Sequence, residues 1–413
     1  MLGWELPPHN SGGLGVVCHQ MCKAMAKRGI DIEFVLPYHA EHDIDFMTVT
    51  HATPQGVVEV LKSGIAYDSY KYRYTDGHEE WVDIYGQQQM YEKAVGRLVE
   101  SKQFDIIHAH DWLTFRAGLA AKMRSGKPLV VHVHSVESDR AGGGAGSGNP
   151  LVRDIEELGF LMADRIVAVS QHTKNMIMRD YGIPDDKIEV VHNSIEKSAM
   201  PALSDQNMYT YLAALKANGW KVVVNIGRLT IQKGLPNLLL AAQKVVANEP
   251  KTMFLIVGSG EQYHELLEMA AGLGIGANVM FTGFQRGQAW RDAFAIGDLF
   301  VMPSVSEPFG LTPLEAIQYG TPSLISKTSG ISEVIMNCLK IDYWDIDEMA
   351  NQIANAIKFT PLRDELRNNM RKEYDRLSWD ASVDKLTDIY HKHISQNTHP
   401  YHMQPMLAAE GSA

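Results

Sequence analysis

Residues 221–246 read KVVVNIGRLTIQKGLPNLLLAAQKVV, and this stretch decides the fold. Lys221–Ile226 is a short β-branched run without polar alternation, the pattern of a strand buried on both faces. A glycine-bearing turn follows, and apolar residues then recur at helical spacing over about 234–248, with Pro236 in the first turn. Working outward, the same strand-then-helix unit repeats. Strands are expected at Asp31–Leu36, Phe104–His108, Leu129–Val133, Arg165–Val169 and Ile188–His192 on one side. Thr252–Val257, Asn278–Thr282, Asp298–Met302 and Thr321–Ser326 follow on the other. Helical patterns fall at about 12–29, 90–101, 114–125, 171–181, 260–272 and 286–296. Such alternation predicts an α/β protein with parallel, doubly wound sheets. The less regular region 42–88 reads as an insertion with one or two strands.

The polar stretch Glu196–Gly219 lacks a strand signal, so a boundary is expected near residue 200. Two Rossmann-like domains of similar size result, 1–200 and 201–378, facing a central cleft. The amphipathic helix at about 379–395 is long enough to cross back to the first domain. A tail, 396–413, is expected to be disordered. Met1–Trp4 reads as the end of a clipped first strand, at an expected cost in stability.

With 413 residues, 45% apolar and 21% charged, the chain has the composition of a folded globular protein. Its net charge of −11 argues against nucleic acid or an anionic membrane as the main partner. No apolar run reaches the roughly 18 residues needed to span a bilayer, and no secretory leader is evident. Cys18, Cys22 and Cys338 are too few for a disulfide framework, and Cys18 and Cys22 read as core filler on one helix face. A reducing cytoplasm is the expected location.

Four constellations could carry chemistry. Asn10–Gly15 (NSGGLG) sits at a strand-to-helix turn, where glycines let backbone N–H groups approach an anion, or where Asn10 or Ser11 simply caps a helix. It lacks the G-x-G-x-x-G pattern, so no nicotinamide cofactor is expected. Arg228 and Lys233 flank a strand end and a helix N-terminus, a setting for a diphosphate, although two solvated charges would look the same. In SEPFGLTPLEA, residues 306–316, Thr312 and Glu315 can form a capping box around Pro313, whereas Glu307 has no such structural excuse. The pairs His108/His110 and His132/His134 each place two rings on one strand face. With Asp111 or Asp139 they could bind zinc, but the simpler reading buries one histidine of each pair and leaves the strand-end member in the cleft. Neither Asp43–Asp45 nor Asp345–Asp347 follows a core strand, and Asp345 reads as a helix cap. No metal site is expected.

Together, WELPPHNSGGLG, HAHDW, VHVHSVESDR, AVSQHTK, VVHNSI, GRLTIQKGL, VGSGE, FTGF and MPSVSEPFGLTPLEA, in this order from residue 4 to 316, resemble the retaining family-four glycosyltransferases of GT-B architecture. The likeness is greatest to the bacterial glycogen/starch synthase-like branch, and SWDASVDKLTDIY is similar to that family's crossover helix. The resemblance implies a nucleotide diphosphate sugar, ADP-glucose or UDP-glucose, held mainly by the second domain. Arg228 and Lys233 would contact the diphosphate. Glu307 would lie near the transferred sugar, and Glu315 would bond the ribose. Gly310, Leu311 and Thr312 would offer backbone N–H groups. Gly12 and Gly13 would close over the donor, and Gly258 with Phe284 would edge the base. His134 would bond the sugar near its 6-position, and Asp111 would face a saccharide or glucan acceptor. Asn10 stands where glycogen synthases often carry a lysine.

The implied activity is retaining, metal-independent transfer of a hexose, glucose by this likeness, to a saccharide hydroxyl. A sugar-nucleotide epimerase, a metal-dependent hydrolase built on the histidine pairs and a non-catalytic sugar-nucleotide binder are the rival readings.

Overall fold

The computed structural model describes residues 1–10, 12–62, 70–197 and 208–397. The expected boundary near 200, Ser11 and the tail beyond 397 fall outside these residues. Among them lie fifteen strands. The first sheet is built from β1 (Glu33–Leu36), β2 (Thr48–His51), β6 (Ile107–His110), β7 (Leu129–Val133), β8 (Arg165–Ala168) and β9 (Ile188–Val190). An insertion contributes β3 (Val57–Lys62), β4 (Tyr70–Tyr74) and β5 (Glu79–Val82). The second sheet has β10 (Lys221–Ile226), β11 (Thr252–Val257), β12 (Val279–Phe281), β13 (Leu299–Met302), β14 (Ser323–Ser326) and β15 (Leu339–Ile341).

The second sheet is entirely parallel in the order β12-β11-β10-β13-β14-β15. Counted within its own half this is 3-2-1-4-5-6, the doubly wound order of a Rossmann sheet. The first sheet repeats it. Leu2 bridges Val35 of β1 and Ala109 of β6, so the order runs β2-β1-Leu2-β6-β7-β8-β9. The central strand is a single bridged residue with full hydrogen bonding on both sides. Leu2 N–H donates to His108 O (2.8 Å) and His110 N–H to Leu2 O (3.1 Å), while Gly3 N–H donates to Val35 O (3.1 Å) and Val35 N–H to Met1 O (2.9 Å).

Sequence and structure differ at three places that matter. The strand expected at Phe104–His108 is shifted to Ile107–His110, because the ladder to Leu2 carries pairing through His110. Asp111 therefore stands directly at a strand end. The insertion holds four strands rather than one or two. β2 joins the main sheet, and β3-β4-β5 form an antiparallel meander. In β4 the alternation Tyr70, Tyr72 inward and Arg73 outward is a period-two signal. Trp4 anchors the meander, its Nε1–H donating to Tyr70 Oη at 3.2 Å. Helices Pro150–Met162 and Thr360–Arg376 and strand β15 add to the expected set.

Both cores follow from the apolar strands. β11, β13 and β14 are buried at every residue. Cys18 and Cys22 lie buried on helix Gly13–Ala26, as free thiols. Helix Trp379–Asn397 packs on that same helix through Trp379, Val383, Leu386 and Tyr390. Arg28 pairs with Asp380 and Asp384 at 2.8 Å each, tying the C-terminal helix to the first sheet's layer.

Candidate active site

In a doubly wound sheet the crevice forms where strand order reverses, at the carboxyl ends of the strands. In the second sheet that point lies between β10 and β13. β10 delivers Gly227 and Arg228, and β13 delivers the loop 303–311. Lys233 follows in the short 3₁₀ turn Ile231–Lys233, before helix Leu235–Asn248. Gly258, at the end of β11, closes the floor. It has φ +149°, and a Cβ there would stand 1.8 Å from the carbonyl oxygen of Gly227, so only glycine fits.

Lys233 and Glu307, 74 residues apart in sequence, meet here. Lys233 Nζ donates to Glu307 Oε2 at 2.5 Å, and Ser304 Oγ donates to the same oxygen at 3.0 Å. Glu307 is 8% exposed. Its backbone is stitched to the next strand's loop by Glu307 N–H to Thr328 O (3.1 Å) and Gly330 N–H to Glu307 O (2.9 Å). Gly310 has φ +95°, turning the chain so that Leu311 and Thr312 lead into helix Thr312–Gln318. Arg228 is exposed and makes no hydrogen bond or ion pair among the described residues. One rim thus carries a paired and an unpaired cation.

The expected capping box is not made. Leu311 occupies the cap position without a side-chain hydrogen bond, and Thr312 Oγ1 turns to Met302 Sδ at 3.7 Å. The helix begins one residue too early for Thr312 to serve as cap. Glu315 is consequently left without a side-chain partner among the described residues, and burial pushes its carboxyl up to about 8. Nor does Asn10 cap helix Gly13–Ala26: Gly12 holds that position, and Asn10 Nδ2 donates to Gly12 O at 2.8 Å.

Across the cleft, β6 and β7 stack four imidazoles into a ladder. His108 and His132 lie with rings 6° from parallel, Nε2 to Nδ1 at 3.2 Å. His110 Nδ1 and His134 Nε2 are 3.1 Å apart, and Tyr390 Oη bonds His108 Nδ1. Burial and mutual repulsion hold His108, His110 and His132 well below the usual imidazole range, and burial takes His134 down to about 3. All four are neutral at pH 7. Of the two strand-end histidines expected in the cleft, His134 is half-buried and His110 is wholly buried. Nitrogens of His108, His110 and His132 lie within 4.8 Å of one another, as do those of His110 and His134 and the Cys18 thiol.

Asp111 has φ 58°, the one non-glycine residue with positive φ among those described. Its Oδ1 accepts from the backbone N–H groups of His134 (2.6 Å) and Ser135 (3.3 Å). Burial pushes its carboxyl up to about 7, against the opposing pull of Arg140 and those two amides. The side chain expected to face an acceptor is thus occupied in holding the strand end that carries His134.

The two carboxyl edges face each other. A Cβ on Gly13 would lie 3.5 Å from Leu311 Cδ1. The Arg286 guanidinium donates to Asn10 O (2.8 Å) and Pro8 O (3.3 Å), and lies 5.1 Å from the ring of half-exposed Phe284. Ser306 Oγ donates to Asp139 Oδ1. Arg286, Ser306 and His172 were given no role in the sequence; side chains that bond across more than 100 positions leave no local signal.

Two family profiles match successive parts of the chain: Glycosyltransferase Family 4 over residues 11–198 and Glycosyl transferases group 1 over residues 213–373. Together they span most of its length, and the two facing Rossmann-like sheets are the architecture they share. The chain is a GT-B glycosyltransferase. It is 27% identical to an uncharacterized glycosyltransferase of Methanocaldococcus jannaschii over 401 residues, covering 94% of this chain and 97% of that one. It is 26% identical to a glycogen synthase of Mycobacterium tuberculosis, covering 82% of this glycosyltransferase and 80% of the relative. Among solved structures, Thermosynechococcus elongatus sucrose-phosphate synthase superposes with a TM-score of 0.70 at 17% identity, covering 96% of this chain and 98% of that one. Anabaena HepE in complex with UDP and glucose gives 0.70 at 18%, covering 95% and 99%. No helix among the described residues is long and apolar enough to cross a membrane.

Of the residues singled out in the sequence, the structure joins Lys233 to Glu307, Gly310 to Glu307 and Gly13 to Leu311. Arg228, Gly258 and Phe284 lie at the ends of neighbouring strands β10, β11 and β12. His134 and Asp111 form a separate pair on the opposite edge.

Proposed function

We propose that this glycosyltransferase moves a hexose, glucose in the first instance, from a nucleotide diphosphate sugar to a saccharide hydroxyl with retention at the anomeric carbon. The observation that carries this reading is the pairing of Lys233 with Glu307 at the second sheet's switch point, where Arg228 stands exposed at the end of β10. Arg228 and Lys233 neutralise the leaving diphosphate, a task two cations can perform without a metal ion. Glu307 shares Lys233 with the diphosphate and faces the positive charge that develops at the anomeric carbon. The acceptor oxygen attacks from the face the diphosphate leaves, the C–O bond to phosphate breaks, and the departing phosphate oxygen takes the acceptor proton. Gly310, Leu311 and Thr312 offer N–H groups to the donor, Glu315 its ribose contact, and Gly258 and Phe284 the edge of the base.

Division near residue 200 gives an acceptor lobe, 1–200 with the helix at about 379–395, and a donor lobe, 201–378. Gly12 and Gly13 close over the donor from the first lobe, and His134, a neutral donor, bonds the sugar near its 6-position. Structural neighbours solved with UDP and glucose or, for Arabidopsis thaliana starch synthase IV, with ADP and acarbose support a nucleotide diphosphate sugar as donor, ADP-glucose or UDP-glucose. The glycogen synthase likeness supports a glucan acceptor. Three free thiols suit a reducing cytoplasm.

The test is a donor panel read by released nucleotide diphosphate, with and without glucan. Release that depends on acceptor, with an α-linked product from an α-linked donor, is expected. Conversion of the sugar nucleotide without acceptor, or an inverted product, would overturn the proposal.

A further inference from the structure

The loop carrying Glu307 is held from the other half of the molecule on both sides of that carboxylate. On the near side, Ser306 Oγ–H is directed to Asp139 Oδ1. With its only proton committed there, Ser306 Oγ can only accept from His172, whose Nε2 lies 3.1 Å away; His172 is thereby held as its Nε2–H form. On the far side, Ser170 Oγ donates to the carbonyl of Pro308 at 2.5 Å while accepting from Thr173 N–H at 3.0 Å. Asp139 is wholly buried and its second oxygen accepts from Val136 N–H at 3.2 Å, so the acceptor is fixed in place. Gly143, in the glycine-rich segment 141–149, lies against Ser306; a Cβ there would come within 3.2 Å of the Ser306 Cβ.

The second half answers in kind. Glu333 accepts from the N–H groups of Gln171 and His172, both at 2.9 Å, and from His192 Nε2 at 2.8 Å. Helix Gln171–Tyr181 therefore has its N-terminus capped by a carboxylate from the other sheet, while its first residues grip the peptide units flanking Glu307. Close approach is built in: at Gly330 a Cβ would lie 2.2 Å from Pro308 O and 2.5 Å from Ser170 Cβ.

We propose that Asp139, Ser170 and His172 are positioning residues for Glu307: docking of the two halves clamps residues 306–308 and so sets the Glu307 carboxylate against Lys233 for transfer. This rests on the reading of Glu307 given above. It makes closure of the halves and competence of the loop one event, because neither set of hydrogen bonds survives separation. The clamp acts on the loop, so it governs the transfer step more than capture of the nucleotide by Arg228 and Lys233.

Ser306→Ala removes the hydrogen bonds to both Asp139 and His172, His172→Ala removes only the second, and both leave the buried Asp139 in place. Two readouts separate the clamp from the transferase reading. Amide hydrogen exchange of the ligand-free protein is expected to quicken over residues 306–310 in both variants, with β10 to β14 unchanged. In transfer assays kcat is expected to fall by about five- to tenfold for His172→Ala, the worth of one buried hydrogen bond, and at least as far for Ser306→Ala, with the Kd for nucleoside diphosphate changed less than about twofold in both. His172→Gln, which keeps a donor near Ser306, should recover most of kcat, and Ser306→Ala with His172→Ala should lose no more than Ser306→Ala alone. Unchanged exchange overturns the clamp, and altered exchange with unchanged kcat overturns its positioning role. Altered exchange in a protein that transfers no sugar overturns the transferase assignment instead.

Discussion

The two sheets share one strand order, yet their facing edges carry opposite chemistry. At the end of β10 and β13 stand two cations, one unpaired and one lent to a carboxylate. At the ends of β6 and β7 stand the neutral imidazole of His134, backed by three buried neutral imidazoles, and a carboxyl whose proton burial retains to about pH 7. One topology has been given a charged rim and an uncharged rim. The difference teaches where the anion goes. On the proposed reading, a diphosphate would be stabilised by Arg228 and Lys233, and uncharged hydroxyls would be recognised at the other edge. Fold alone does not make that distinction, since the crevice rule applies equally to both sheets.

The contrast breaks most visibly at the charged rim. Arg228→Ala and Lys233→Ala are expected to fold normally and to lower kcat/KM by one to two decades, from about 1.5–3 kcal/mol per charge-assisted phosphate contact. Lys233→Ala should lose more, because it also leaves the buried Glu307 carboxylate with Ser304 as its remaining side-chain partner. Steady-state kinetics on variants with native circular dichroism checks this, and wild-type rates from either would end the diphosphate assignment.

Next is Glu315→Gln, read by denaturant unfolding across pH. The raised carboxyl of Glu315 means that the folded chain binds more protons than the unfolded one between about 4.5 and 8. Wild-type stability from this group is thus lost as pH rises through that window. The glutamine variant lacks the penalty, so its advantage should grow through the window and level above pH 8, at roughly 5 kcal/mol. A constant difference across pH would show that Glu315 has a charged partner after all.

At the neutral rim a smaller effect is expected. His134→Ala should slow transfer from a hexose donor by about fivefold, one neutral hydrogen bond, and leave a pentose donor without a 6-hydroxyl unaffected. Equal losses on both would remove His134 from the sugar. The ladder adds a pH dependence of the opposite sign to that of Glu315. His134, lowered from 6.5 to about 3, contributes stability that is present above 6.5 and lost as pH falls through that range. Smallest is Arg286→Ala, which cuts two hydrogen bonds spanning the cleft mouth at an exposed position. About a twofold rise in donor KM is expected, and a tenfold change would make Arg286 a direct donor contact.

Much of this molecule was legible before folding. The runs at β7, β10 and β11 are continuous and apolar, and their limits were read to the residue because strands buried on both faces leave no ambiguity of period. Lys233, Arg228 and Glu307 stood out because glycine and proline punctuation marked their loops as strand ends. The meander β3-β4-β5 was less legible: β4 alternates, but β5 exposes Glu79, Glu80 and Trp81 in succession and so carries no period-two signal. Of the two readings open for Glu315, the capping box fails although the motif is right, because the helix starts at Thr312 itself and leaves Leu311 as the cap.

Sequence alone determined the parallel α/β class, the two series of strands and the residue types gathered at each edge, because hydrophobic period and turn chemistry are local properties of a chain. Only tertiary structure decided that Lys233 is lent to Glu307, that Asp111 holds backbone instead of facing solvent, and that Asp139, Ser170 and His172 reach across to the loop they clamp. Each of those is a contact between segments that sequence separates by 20 to 170 residues. Such contacts depend on how two sheets dock, and docking is set by the whole of both cores rather than by any stretch that can be read in isolation.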